Sequence, residues 1–172
     1  LVEGDPNFTI RNVQITGALN FGSQLNGSWR NAIGRGGTKR VKELILHHFK
    51  RTRLISEIHT RAGSDEVRSF SIRTGYRIIF GTEPDISIRN PKDMLVTAIE
   101  VKSGIDPTGA LERYGAAKKS FDKALRENKS AITIYLASCI TDGVKEAMAD
   151  DRLVRKDFNL AKILADAKAE QE

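Results

Sequence analysis

Two short segments alternate apolar and polar residues one by one, and that period decides what they can become. In Pro84-Asp85-Ile86-Ser87-Ile88, and again in Ala98-Ile99-Glu100-Val101-Lys102, every second residue is isoleucine or valine. A period of two belongs to a β-strand, whose successive side chains point to opposite faces of a sheet. Ile86, Ile88, Ile99 and Val101 can then enter a core while Asp85, Glu100 and Lys102 project from the other face. Asn90-Pro-Lys-Asp93 between the segments is turn chemistry. The two strands therefore make a hairpin, and two carboxylates and one amine converge. Such a trio can hold a divalent cation and prepare a water to attack a phosphodiester. An ordinary half-buried strand whose Glu and Lys face water has the same pattern, so the order of the surrounding elements has to decide.

Upstream, residues 1–37 are rich in Gly, Asn and Ser and read as a loop-rich extension ahead of a domain over 38–172. Phe8, Ile10, Val13 and Ile15 form a short extended piece, and Trp29 anchors the loops. Thr38 is placed to cap a helix over 39–50, with Val41, Leu44, Ile45, His48 and Phe49 at helical spacing. His47 and His48 read as a surface and a boundary residue. Leu54–Thr60 and Arg68–Thr74 read as strands joined by the turn Ala62–Glu66, and Tyr76–Gly81 leads into the Asp85 strand. After the Glu100 strand, Ser103-Gly-Ile-Asp-Pro107 is a break. A helix over 108–128 carries Leu111, Tyr114, Ala117, Phe121 and Leu125. The apolar run 130–138 is a buried strand that pairs in parallel across that helix. Thr141 or Asp142 caps a helix to 149, and a last helix covers 158–169. The expected fold class is α/β (α+β): a mixed central β-sheet flanked by helices.

Pro84-Asp85 followed by Glu100-Val101-Lys102 resembles the signature of the PD-(D/E)XK nucleases, and helix, antiparallel strands, helix, strand, helix resembles their α-β-β-β-α-β core. The stretch from Gly81 to Phe121, above all residues 100–121, is similar to type II restriction endonucleases of the XcyI group. That resemblance implies a CCCGGG target, duplex DNA as substrate, Mg²⁺ as cofactor, products with 5′-phosphates and a homodimer. It implies that Asp85, Glu100 and Lys102 are catalytic. Asp85, Glu100 and the Val101 carbonyl would bind the metal, and Lys102 would orient or deprotonate the attacking water. Many family members add a Glu from the first helix. Glu43 stands there, away from the apolar stripe, so ligand and solvent residue both fit. Glu83 supports the site or caps a turn; Ser103 and Asp106 touch phosphate or simply build the loop. Another nuclease of the superfamily, such as a junction resolvase or repair nuclease, and a catalytically inert basic DNA-binding module are the alternatives.

The net charge of +6 favours a polyanionic partner. Its distribution says more: Arg30, Arg35, Lys39, Arg40, Lys42, Lys50, Arg51 and Arg53 crowd together with Glu43 as the acidic exception. Arg30, Arg35, Lys39 and Arg40, with Lys118 and Lys119 on a later helix, are the expected DNA contacts. Arg113 and Arg30 are candidates for reading guanine. No segment approaches the roughly 20 apolar residues of a membrane span, so no membrane partner is expected. The single cysteine, Cys139, reads as a buried thiol in a cytoplasmic protein.

Overall fold

The computed structural model describes the backbone of residues 36–169 and the side chains of residues 36–164. The readings on Phe8, Ile10, Val13, Ile15, Trp29, Arg30 and Arg35 lie outside the described residues. A helix, α1, covers 36–51. It is followed by β1 (Ile55–Thr60), β2 (Val67–Ile72), β3 (Arg77–Phe80), β4 (Ile86–Arg89) and β5 (Leu95–Lys102). Then come α2 (Ala110–Glu127), β6 (Ile132–Ala137), α3 (Asp142–Asp151), β7 (Lys156–Asn159) and α4 (Leu160–Ala169). The strands form one seven-stranded sheet in chain order. The pairs from β1 to β5 are antiparallel, and β5, β6 and β7 are parallel. The change falls where α2 intervenes, because parallel neighbours need a crossover that a tight hairpin cannot supply.

Helices cover both faces, as the nearly unbroken apolar run of β6 requires. On one face Phe70, Ile78, Ile86, Val101 and Leu136 pack with Val41 of α1 and Leu160 of α4. On the other, Tyr135 and Ala137 pack with Ala110, Tyr114, Ala117 and Phe121 of α2 and Val144 of α3. Burying side chains of this size stabilises the fold by roughly 1.5–3 kcal/mol each. The hairpin joining β4 to β5 is closed by Asn90, whose Oδ1 accepts from the amides of Lys92 and Met94 at 2.9 and 3.1 Å. Thr141 caps α3, its hydroxyl accepting from the Val144 amide at 3.4 Å. Among the described residues no helix is long and apolar enough to cross a membrane.

Four expectations need correction. Gly36 and Gly37 are helical, so Thr38 lies inside α1 and does not cap it. The glycine at 37 is there for close approach: a Cβ would fall 2.3 Å from Cβ of Ser103. Leu111 is 55% exposed, whereas Ser120 belongs to the buried face of α2. Residues 156–159 form a strand, not the start of a helix; all four are exposed, so they leave no apolar period to read. Its last residue then caps α4, Asn159 Oδ1 accepting from the Lys162 amide at 3.0 Å. Finally, Cys139 lies beyond the end of β6 and is only partly buried.

Candidate active site

Asp85 and Glu100 meet because of strand register. Ile86 pairs with Ile99, so the antiparallel ladder carried back one step sets Asp85 opposite Glu100. Asp85 Oδ2 accepts from the Val101 amide at 2.9 Å, which fixes this carboxylate against the backbone of β5. Lys102 lies two residues beyond Glu100 on the same face. Its Nζ forms an ion pair with Glu100 Oε2 and stands 3.9 Å from Asp85 Oδ2. The structure thus joins the three residues that the strand alternation pointed to.

The electrostatics of the group are out of balance. Glu100 is 2% exposed. Burial pushes its carboxyl above the ordinary glutamate range, Lys102 and Ser120 of α2 pull it back, and the charge of Asp85 adds to the rise. Ser120 lies close enough to weigh on this ionisation, yet by hydrogen-bond geometry Glu100 Oε1 is buried without a partner. Two carboxylates therefore face a single ammonium, with one buried oxygen unsatisfied. That donor set fits a hard divalent cation such as Mg²⁺, which takes carboxylate, carbonyl and water oxygens. Among the described residues no group of three or more His, Cys, Asp or Glu forms a metal site. Glu43 stays half exposed on α1, with Lys39 and Arg40 at 3.9 and 3.6 Å. His47 and His48 are exposed.

The turn before Asp85 is built tightly. The Gly81 amide donates to the Asp85 carbonyl at 2.9 Å, and a Cβ at Gly81 would stand 2.9 Å from the Pro84 carbonyl oxygen. Lys42 reaches from α1 to donate to the Gly81 carbonyl at 2.9 Å. Glu83 beside this turn is exposed. Beyond Lys102, Ser103 is buried against Gly37 of α1. Asp106 caps its own loop, accepting from the Thr108 amide and hydroxyl and the Gly109 amide at 3.2, 2.6 and 3.2 Å. Arg113 donates to the Asp106 carbonyl and lies over Gly104 and Gly109, so it braces the loop.

Lys42, Arg113, Ser120 and Tyr135 are the residues near this centre to which the sequence reading gave no part in the site's support. One signal was available: Ser120 stands between Ala117 and Ala124 at helical spacing, which places a polar residue on a buried face. Of the expected DNA contacts, Lys118 forms an ion pair with Asp151 Oδ2 at 3.0 Å. Lys119 is exposed. Lys39 and Arg40 share α1 with Gly37, whose contact with Ser103 sets this end of the helix beside the end of β5.

This chain is similar to two type II restriction enzymes. Cfr9I of Citrobacter freundii is 36% identical over 112 residues, which covers 62% of this chain and 32% of the relative. XcyI of Xanthomonas campestris pv. cyanopsidis is 37% identical over 116 residues, with coverage of 62% and 32%. The aligned stretch thus spans about a third of the length of these curated relatives. The family model described as XcyI restriction endonuclease matches residues 10–171, nearly the whole chain. With the sheet, the hairpin and the Asp85–Glu100–Lys102 group in place, the chain belongs to the XcyI restriction endonuclease family.

Proposed function

We propose that the chain carries the catalytic centre of a Mg²⁺-dependent type II restriction endonuclease that hydrolyses phosphodiester bonds of duplex DNA at a specific sequence. The observation that carries this reading is the convergence of two carboxylates and one lysine, largely shielded from water, at the adjoining ends of β4 and β5. Asp85 and Glu100, with the Val101 carbonyl, are the groups to hold Mg²⁺; bound there, the ion supplies charge stabilisation at the scissile phosphate and at the leaving oxygen. Lys102 orients the attacking water and offsets the negative charge that grows on the phosphorus oxygens. Water adds to phosphorus, the bond to the 3′ oxygen breaks, and the products carry 5′-phosphate and 3′-hydroxyl ends.

The surroundings support that task. Lys42 steadies the turn before Asp85, and Arg113 steadies the loop after Lys102, so both catalytic strand ends are held from outside. Lys39 and Arg40 are the best placed of the described basic residues to meet the phosphate backbone. A palindromic target calls for a two-fold dimer, since each copy cuts one strand.

The test is to digest a DNA library with the chain and Mg²⁺ and to sequence the ends. Ends that fall at one sequence and carry 5′-phosphates support the reading; CCCGGG, which resemblance to the XcyI group implies, is the first candidate. Ends scattered over the library, or cutting confined to branched DNA, would move the chain to another nuclease function.

A further inference from the structure

Two buried polar atoms without partners lie on neighbouring strands at the same level of the sheet. Among the described residues, Glu100 Oε1, Tyr135 Oη and Arg77 Nε are the buried side-chain atoms that make no hydrogen bond. Glu100 and Tyr135 are register partners in the parallel ladder of β5 and β6. Both face α2: Tyr135 packs on Tyr114 and Phe121, and Ser120 of the same helix lies by Glu100. Tyr135 is 0% exposed and Glu100 is 2% exposed, so water from outside satisfies neither. Burial is the main influence on the phenol and holds it protonated well above the ordinary tyrosine range, and Arg113 and Glu100 lie near enough to weigh on it.

These two atoms are complementary. A phenol has a proton to donate and a carboxylate oxygen has lone pairs to accept it. The tyrosine ring is held edge-on by Tyr114 at 5.4 Å and by Phe121 at 6.5 Å. The ring is thereby fixed beside the strand that carries Glu100, while the carboxylate retains a rotatable end. Resting on the function proposed above, we propose that Tyr135 is a positioning residue: when the Glu100 carboxylate turns to hold the divalent cation, its Oε1 accepts from the Tyr135 hydroxyl, a bond not made in this structure, and that bond sets the carboxylate. A neutral donor suits that task better than Lys102, because it orients the carboxylate without bringing a positive charge against the ion. Carboxylates that hold metals are themselves steadied by hydrogen bonds of this kind.

Calorimetric titration of Mn²⁺ into the DNA-free chain tests this, with Glu100→Gln, Tyr135→Phe and Tyr114→Phe beside the parent. Tyr135→Phe removes an unpartnered hydroxyl and keeps the ring packing, so its melting temperature without metal should match the parent. Its Mn²⁺ affinity should fall about tenfold, the lower end of what such supporting partners contribute, and the Mn²⁺ needed for half-maximal DNA cleavage should rise in step. Tyr114→Phe removes a neighbouring buried hydroxyl that serves Asp151, and should leave Mn²⁺ affinity within twofold of the parent. Parental affinity in Tyr135→Phe, or an equal loss in Tyr114→Phe, overturns the positioning role. Mn²⁺ binding that survives Glu100→Gln overturns the metal site itself and this proposal with it.

Discussion

Replacing Lys102 with methionine tests the charge balance of the site with the least change in bulk. The parent holds Glu100 almost fully buried, with Lys102 as its charged partner at Oε2 and Asp85 as a second negative charge nearby. Removing one member of a buried ion pair costs about 3–5 kcal/mol, because the remaining charge is left uncompensated. Lys102 is itself 22% exposed, so part of its effect is already screened and we expect a loss of about 2–3 kcal/mol near neutral pH. The loss should depend on pH in a definite sense. Glu100 titrates above its ordinary range in the fold, chiefly through burial. Below the ordinary glutamate range both folded and unfolded chains carry the proton, and the variant should approach parental stability. As pH rises through the raised value the buried carboxylate ionises, and the deficit should reach its full size. Urea unfolding at several pH values, run as a cycle with Glu100→Gln and the double variant, isolates the pair. A coupling of about 1.5 kcal/mol or more is expected. Additivity within about 0.5 kcal/mol, or a deficit that does not change with pH, would refute the reasoning.

Gly37→Ala should destabilise by about 1–3 kcal/mol, since its Cβ would lie 2.3 Å from Cβ of Ser103; thermal melts check this, and a neutral effect would mean that α1 sits farther from β5. Asp151 is held below the ordinary aspartate range: burial alone would raise it, but the Leu153 amide, the Tyr114 hydroxyl and Lys118 outweigh that. Its contribution is present at neutral pH and is lost as pH falls through the depressed value, so Asp151→Asn should cost about 1–3 kcal/mol at pH 7 and little in acid. Denaturation as a function of pH reads the difference. Lys39→Ala with Arg40→Ala should weaken DNA binding in the presence of Ca²⁺ and flatten its dependence on salt by up to two counterions; an unchanged slope would take these residues off the DNA path.

The convergence of the proposed catalytic trio was legible because it rests on two local rules. Alternation placed Asp85, Glu100 and Lys102 on one face, and Asn90-Pro91 signalled the hairpin that brings the strands together. The parallel pairing of β6 was legible too, from a nearly unbroken apolar run beyond a long helix. Residues 156–159 were not: a four-residue strand with every residue exposed carries no periodic signal, and only its place beside β6 makes it a strand. Gly36 and Gly37 misled because glycine pairs usually mark loops, whereas the reason for Gly37 is a contact with Ser103, far away in sequence. The supporting residues were hidden for a similar reason. Lys42 reads as one more cation in a basic stretch until its reach to the Gly81 carbonyl is seen. Tyr135 reads as one more aromatic in a buried strand until its register with Glu100 is known.

The most direct test of the Asp85–Glu100–Lys102 centre is plasmid cleavage by the chain in Mg²⁺ and in EDTA, beside Asp85→Asn and Lys102→Ala variants shown by circular dichroism to be folded. Discrete fragments are expected in Mg²⁺ alone, with both variants slowed at least about a hundredfold, the scale expected when a catalytic charge is removed. Cleavage that persists in EDTA, or that either variant retains at the parental rate, would contradict the assignment of this centre.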